Sequence, residues 1–188
     1  MDLIHRLDGY LYDEVAAAEK KLQIELSPHS KMYILDLLGR LARSDDLFAA
    51  LADDRPLASI MLEAMHKNIF ERIRDLRLIG DLSLVFSGLY PEHLTRRLVD
   101  VDYFISLGRR SYCLLSETCR EYRSRRELAV LYFQLFSEFI GLTEVLTEMA
   151  ETMRFLDEEN VEKAARRWRH TRIRKYLEIL SRHKVVPM

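Results

Sequence analysis

The stretch from Leu78 to Tyr122 holds the side chains best suited to chemistry in this chain. It reads LIGDLSLVFSGLYPEHLTRRLVDVDYFISLGRRSYCLLSETCREY. Arg96, Arg97 and Arg109 supply planar guanidinium forks, which grip carboxylate or phosphate oxygens in pairs. Tyr90, Tyr103 and Tyr112 supply hydroxyls that would complete a pocket for an anionic small ligand. These six are the candidate residues for binding a ligand or a partner. A structural reading competes with that one. Asp81, Asp100 and Asp102 sit where helices are expected to begin, and a carboxylate there accepts the free N–H groups of the first turn. Arg96 and Arg97 would then pair with Asp100 and Asp102 and lock the loop.

Two other constellations carry chemical meaning. Glu63 and His66 stand at i, i+3, the ligand spacing of carboxylate-bridged di-iron bundles. Such a metal site needs a second Glu/His pair and further carboxylates, and no other histidine has a glutamate three residues before it. The pair therefore reads as two polar-face side chains, and no cofactor is expected. Near the end, Lys163 to Lys184 holds nine Lys/Arg and one acid, a net of +8. The preceding Glu138 to Glu159 holds seven acids and one Arg, a net of −6. Adjacent blocks of opposite sign in an antiparallel hairpin answer one another, and no aromatic platform accompanies the basic tract, so nucleic acid is the lesser reading. No Ser/His/Asp or Cys/His set, phosphate loop or zinc signature is present, so no catalytic residue is assigned.

The elements that position these residues are helices. Ser27-Pro28 is a start signal, with Ser as N-cap and Pro at the first helical position. A first helix is expected from Tyr10 to Leu22, and a short one from Ser44 to Leu51. Pro56 opens another, whose apolar stripe runs on to Leu76. Gly80-Asp81 reads as a break followed by a short helix to Ser87, with Gly88 as a left-handed C-terminal cap. A turn of helix is possible from Glu92 to Leu98. Asp100 or Asp102 should cap a helix to about Glu121, in which Gly108 marks a close approach of another helix. Ser124 to Glu127 has the form of a capping box. From Leu128 to Leu156 apolar residues alternate at four and three, which predicts a single helix of about 45 Å, unless Gly141 bends it. A last helix is expected from Asn160 to His183.

The order Gly80-Asp81, Ser87-Gly88, Pro91, Arg96-Arg97, Val99 to Val101, Tyr103-Phe104 and Gly108 to Tyr112 resembles a pattern in a group of uncharacterised bacterial all-helical proteins of similar length. That pattern is GD, SG, P, RR-x-VDV-x-YY and G-x-x-x-Y. Phe104 stands where the second Tyr of the pattern falls. The resemblance implies an ordered helical domain and carries no catalytic residue with it.

Bulk properties agree with this class. The chain has 188 residues, 48% hydrophobic and 31% charged, with a net charge of −1. That is enough apolar material for one core and no general attraction to nucleic acid or anionic membrane. Only 6 Gly and 4 Pro leave little room for a loop-rich fold. The start, MDLIHRLDGYL, shows no leader pattern, and no apolar run is long enough to span a bilayer. The expectation is all-α: one antiparallel helical bundle over 1–188, of six or seven helices with a long central one. The expected function is non-enzymatic and cytoplasmic, by protein association as an adaptor, regulator or homodimer. A ligand- or metal-binding bundle, including an oxidase, is the alternative. Nucleic-acid binding through the basic last helix is a further one.

Overall fold

The computed structural model describes residues 2–43, 55–90 and 100–152. The expected elements at 44–51, 92–98 and 160–183 lie outside them, as do Arg96 and Arg97. A first unit, which holds the packed helices, ends at Met149, and a second begins at Ala150. Among the described residues every element is helical: α1 (Asp2–Leu22), α2 (Pro28–Arg43), α3 (Leu57–Ala64), α4 (Ile69–Leu89), α5 (Val101–Arg120), α6 (Arg126–Ser137) and α7 (Phe139–Thr152). A 3-10 turn, Arg123–Arg125, joins α5 to α6.

Several boundaries follow their local chemistry. Gln23 has φ of 56°, and the Ile24 N–H reaches the Glu19 carbonyl at 3.1 Å, closing α1 with a left-handed residue. Ser27 caps α2, its hydroxyl accepting the Ser30 N–H at 3.3 Å. Pro56 stands just ahead of α3. Asp100 caps α5, with the Val101 N–H on its carboxylate at 2.6 Å. Asp102 lies inside the first turn and is not the cap.

Other boundaries differ from expectation. The helix opened by Pro56 stops at Ala64, and α4 starts afresh after Asn68, whose side-chain oxygen accepts the N–H groups of Phe70 and Glu71, each at 3.1 Å. Arg72 turns back onto the carbonyls of Ala64 and Met65, covering the C-terminal end of α3. Gly80 and Asp81 then lie in the middle of α4 rather than at a break. Gly88 is helical too, and no glycine among the described residues has positive φ. Ser124 makes no capping box: it lies within the 3-10 turn, and α6 begins without a side-chain cap.

The glycines instead mark helix crossings. A Cβ on Gly80 would stand 2.5 Å from the Tyr112 ring. One on Gly108 would stand 2.4 Å from the Phe139 ring and 2.8 Å from Ser83, as the close-approach reading of Gly108 requires. One on Gly88 would stand 2.7 Å from Leu146. In α4, Gly80, Ser83, Ser87 and Gly88 recur at helical spacing, so one narrow face admits both α5 and α7. Ile60 of α3 closes a smaller cluster with Ile79 and Leu107.

The predicted long helix is two helices. The chain bends by 67° between Ser137 and Phe139. Glu138 at the bend accepts the Ser27 N–H at 3.1 Å and its hydroxyl at 3.2 Å, so the bend is tied to the start of α2. Beyond it Phe139, Leu142, Val145 and Leu146 turn into the core. The periodicity persists across the bend because both helices bury one face. No single helix among the described residues is long and apolar enough to cross a membrane.

Candidate functional sites

Four helices converge on Asp81. Its carboxylate is buried, with 2% of the side chain exposed. The Tyr33 hydroxyl of α2 donates to Oδ1 at 2.5 Å, and the Tyr112 hydroxyl of α5 donates to the same oxygen at 2.9 Å. Arg40 of α2 donates to Oδ2 at 3.1 Å. Arg77, one turn before Asp81, lies 3.8 Å from Oδ2 and donates to the Tyr33 oxygen at 3.2 Å. Tyr132 of α6 stacks on Tyr112 at 6.2 Å and meets Tyr33 edge-on at 6.5 Å. Asp36 binds Arg40 at 2.9 Å and approaches Arg77 at 3.9 Å, so two carboxylates answer two guanidiniums.

The protonation states follow from the burial. Loss of water pushes the Asp81 carboxyl above its usual range, against the hydrogen bonds of Tyr33 and Tyr112 and the charges of Arg40 and Arg77, which pull it down. Burial, then the Asp81 charge, holds Tyr33 and Tyr112 well above the ordinary phenol value. Burial also works against the charges on Arg40 and Arg77, but Asp81 offsets it at Arg40, and Tyr33 with Asp81 at Arg77, so both are held more firmly protonated. Donors and acceptors are matched and the formal charge is balanced. Such a group locks α2, α4, α5 and α6 in one arrangement and offers no free valence to an anion.

Arg96 and Arg97 lie outside the described residues, and the other sequence-derived candidates are placed separately. Tyr112 is fully buried against Asp81. Tyr90 ends α4, its N–H on the Phe86 carbonyl. Tyr103 lies near the start of α5, partly exposed and edge-on to Phe104 at 5.3 Å. Arg109 lies over the Phe136 ring at 5.1 Å. Asp81 is no cap but the acceptor at the centre of the buried group, because α4 runs unbroken through it. Glu63 and His66 share no helical face: α3 ends between them, both are exposed, and Glu63 pairs with Arg55 at 3.6 Å. No cluster of three or more His, Cys, Asp or Glu suited to a metal occurs among the described residues.

A second site lies outside the bundle. Arg120, at the end of α5, and Arg126, Ala129, Val130 and Phe133 of α6 line a groove of about 390 Å³. Val130 is 56% and Phe133 50% exposed. With Arg126 they form one stripe at four- and three-residue spacing, while Ala129 at its border, Tyr132 and Leu135 are buried. Arg120, Arg123 and Arg126 form no ion pair with any described residue. The reading of one long helix from Leu128 to Leu156 followed the alternating apolar stripe and so passed over Val130 and Phe133. Their position beside the buried Ala129 and Tyr132 was the available signal.

Compared with known protein families, with curated proteins and with solved structures, the chain matches none.

Proposed function

We propose that this protein works by protein association rather than catalysis, as a cytoplasmic adaptor or regulator that binds through the outer face of α6. The observation that carries this reading is the pairing of an exposed apolar stripe, Val130 and Phe133, with Arg120 and Arg126 at its edge. An apolar surface of this kind, rimmed by charge, is what a binding face requires. The matched group at Asp81 supports the same conclusion from the other side: this concentration of polar side chains among the described residues serves the fold. The two cysteines, Cys113 and Cys119, are free thiols, which fits a reducing compartment.

A photo-crosslinking amino acid at position 130, with a control at Tyr12 on α1, tests the reading. Tyr12 is exposed to the same 56%. Protein adducts from position 130 and none from position 12 are expected. Equal yields from both, or none from either, would remove the proposal. Sedimentation over a rising concentration series then separates self-association, including a homodimer, from a different partner.

A further inference from the structure

Resting on that reading, we infer that the occupant of the α5–α6 groove is an acidic amphipathic helix of another protein. Its apolar stripe would lie on Val130 and Phe133, and its flanking carboxylates would meet Arg120 and Arg126. The floor is aliphatic and aromatic, Ala129, Val130 and Phe133. Helices bind such floors with anchors at i, i+3 or i+4, and i+7. The charged groups lining the groove are both arginines. Arg123, exposed in the adjoining 3-10 turn, adds a third cation.

These arginines border an exposed apolar floor, and no described carboxylate answers them. Among the described residues Arg40 and Arg77 pair with Asp81 and Asp36, Lys31 with Glu19, and Lys67 with Asp75, whereas Arg109 covers the Phe136 ring and its buried Nε has no hydrogen-bond partner. Arg125, in the same turn as Arg123, covers the Phe70 ring at 5.2 Å. Arg120, Arg123 and Arg126 meet no carboxylate among the described residues. An arginine fork beside an apolar floor gains most from a carboxylate brought by the same segment that covers the floor, because water is then excluded from the pair. A second copy fits less well. A two-fold contact centred on α6 would bring Arg126 and Arg120 of both chains toward one another. A nucleic acid also fits less well, since the groove is lined by two arginines and an apolar floor that offers little to a phosphate backbone.

A displayed library of helical peptides tests this with the full-length chain. Each peptide carries a fixed Leu/Phe stripe, and its flanking positions are randomised over Glu, Gln and Lys. Selection on the unaltered protein should enrich Glu, with at least about tenfold weaker binding by the Lys version of the same peptide, the size of effect expected for truncating or opposing an interfacial charge pair. Selection on an Arg120→Glu, Arg126→Glu double variant should reverse the preference to Lys. Phe133→Asp should abolish enrichment of either. Enrichment that ignores charge, yet is lost in Phe133→Asp, would overturn the acidic-partner inference and leave the binding face standing. Enrichment untouched by Phe133→Asp, or none at all, would overturn both. Self-association that Phe133→Asp abolishes would replace the partner by a second copy. Single-stranded RNA binding lost in the same variant would replace it by nucleic acid.

Discussion

Two regions of this protein use arginine and aromatic side chains in opposite ways. Around Asp81, arginines and tyrosines are turned inward, and each oxygen and guanidinium has a partner within the chain. At the α5–α6 groove, arginines and a phenylalanine are turned outward, and the arginines have no partner among the described residues. The residue types are similar; what differs is whether their interactions are complete. A completed polar network buried among four helices fixes geometry, and removing one member leaves the others stranded. An unpaired set at the surface is left to solvent or to a second molecule. Stability then belongs to the first region, and the recognition proposed above would belong to the second.

The sharpest way to break the comparison is to remove the centre of the buried group. Asp81→Ala leaves two tyrosine hydroxyls without their acceptor and Asp36 alone to answer two guanidiniums. The cost should be about 3 kcal/mol or more, the lower end for breaking a buried pair because Arg40 and Arg77 can reach water. Thermal unfolding should drop by roughly 6 to 12 °C for a chain of this size. A variant melting within a degree or so of the parent would show that the network contributes nothing.

Alkaline titration probes the same region without mutation. Tyr33 and Tyr112 are held well above the phenol value of 10.0 in the folded chain, while in the unfolded chain they ionise near it. The folded state therefore keeps protons that the unfolded state loses. Stability is complete below about pH 10 and falls as pH rises further, by up to about 1.4 kcal/mol per pH unit for each of the two. Tyrosinate absorbance should show these rings ionising only with unfolding. Independent titration of all nine tyrosines in the folded chain would contradict their burial.

Smaller effects sharpen the packing. Gly108→Ala drives a methyl into Phe139 and Ser83, and overpacking should outweigh the gain in helix propensity by about 1 kcal/mol. Denaturant unfolding would register the loss as a lower midpoint. Asp100→Ala removes the cap of α5 and should cost about 1 kcal/mol by the same measurement. Phe133→Asp, at an exposed position, should change stability by no more than about 0.5 kcal/mol.

Much of the fold was legible because helices announce themselves locally. Ser27-Pro28, Pro56 and Asp100 are boundary signals whose chemistry acts within a few residues, and the all-helical class follows from the periodicity between them. Gly108 was readable as a crossing because it stood inside an apolar stripe. Gly80 and Gly88 misled because a glycine has the same local form whether it ends a helix or lets another pass over it. The choice depends on Tyr112 and Leu146, distant in sequence. Asn68-x-x-Glu71 was a readable cap of the kind used at Ser27, but the apolar stripe ran through it. The bend at Glu138 was not legible, since Ser27, which holds it, lies more than a hundred residues away. Asp81 illustrates the limit most clearly: its importance comes from Tyr33, Arg40 and Tyr112, contributed by two other helices. Arg109 and Tyr112 were singled out for their type, yet one covers a ring and the other is buried.

The central claim is that stability and recognition are carried by separate residues. The most direct measurement takes Asp81→Asn and Phe133→Asp side by side, recording thermal unfolding and affinity for an acid-flanked, Leu/Phe-striped helical peptide below both melting temperatures. Asp81→Asn should melt several degrees lower and bind within about twofold of the parent, while Phe133→Asp should melt within about 2 °C of it and lose at least about tenfold in affinity. Loss of binding in a folded Asp81→Asn protein, or a Phe133→Asp protein that binds normally, would contradict the division.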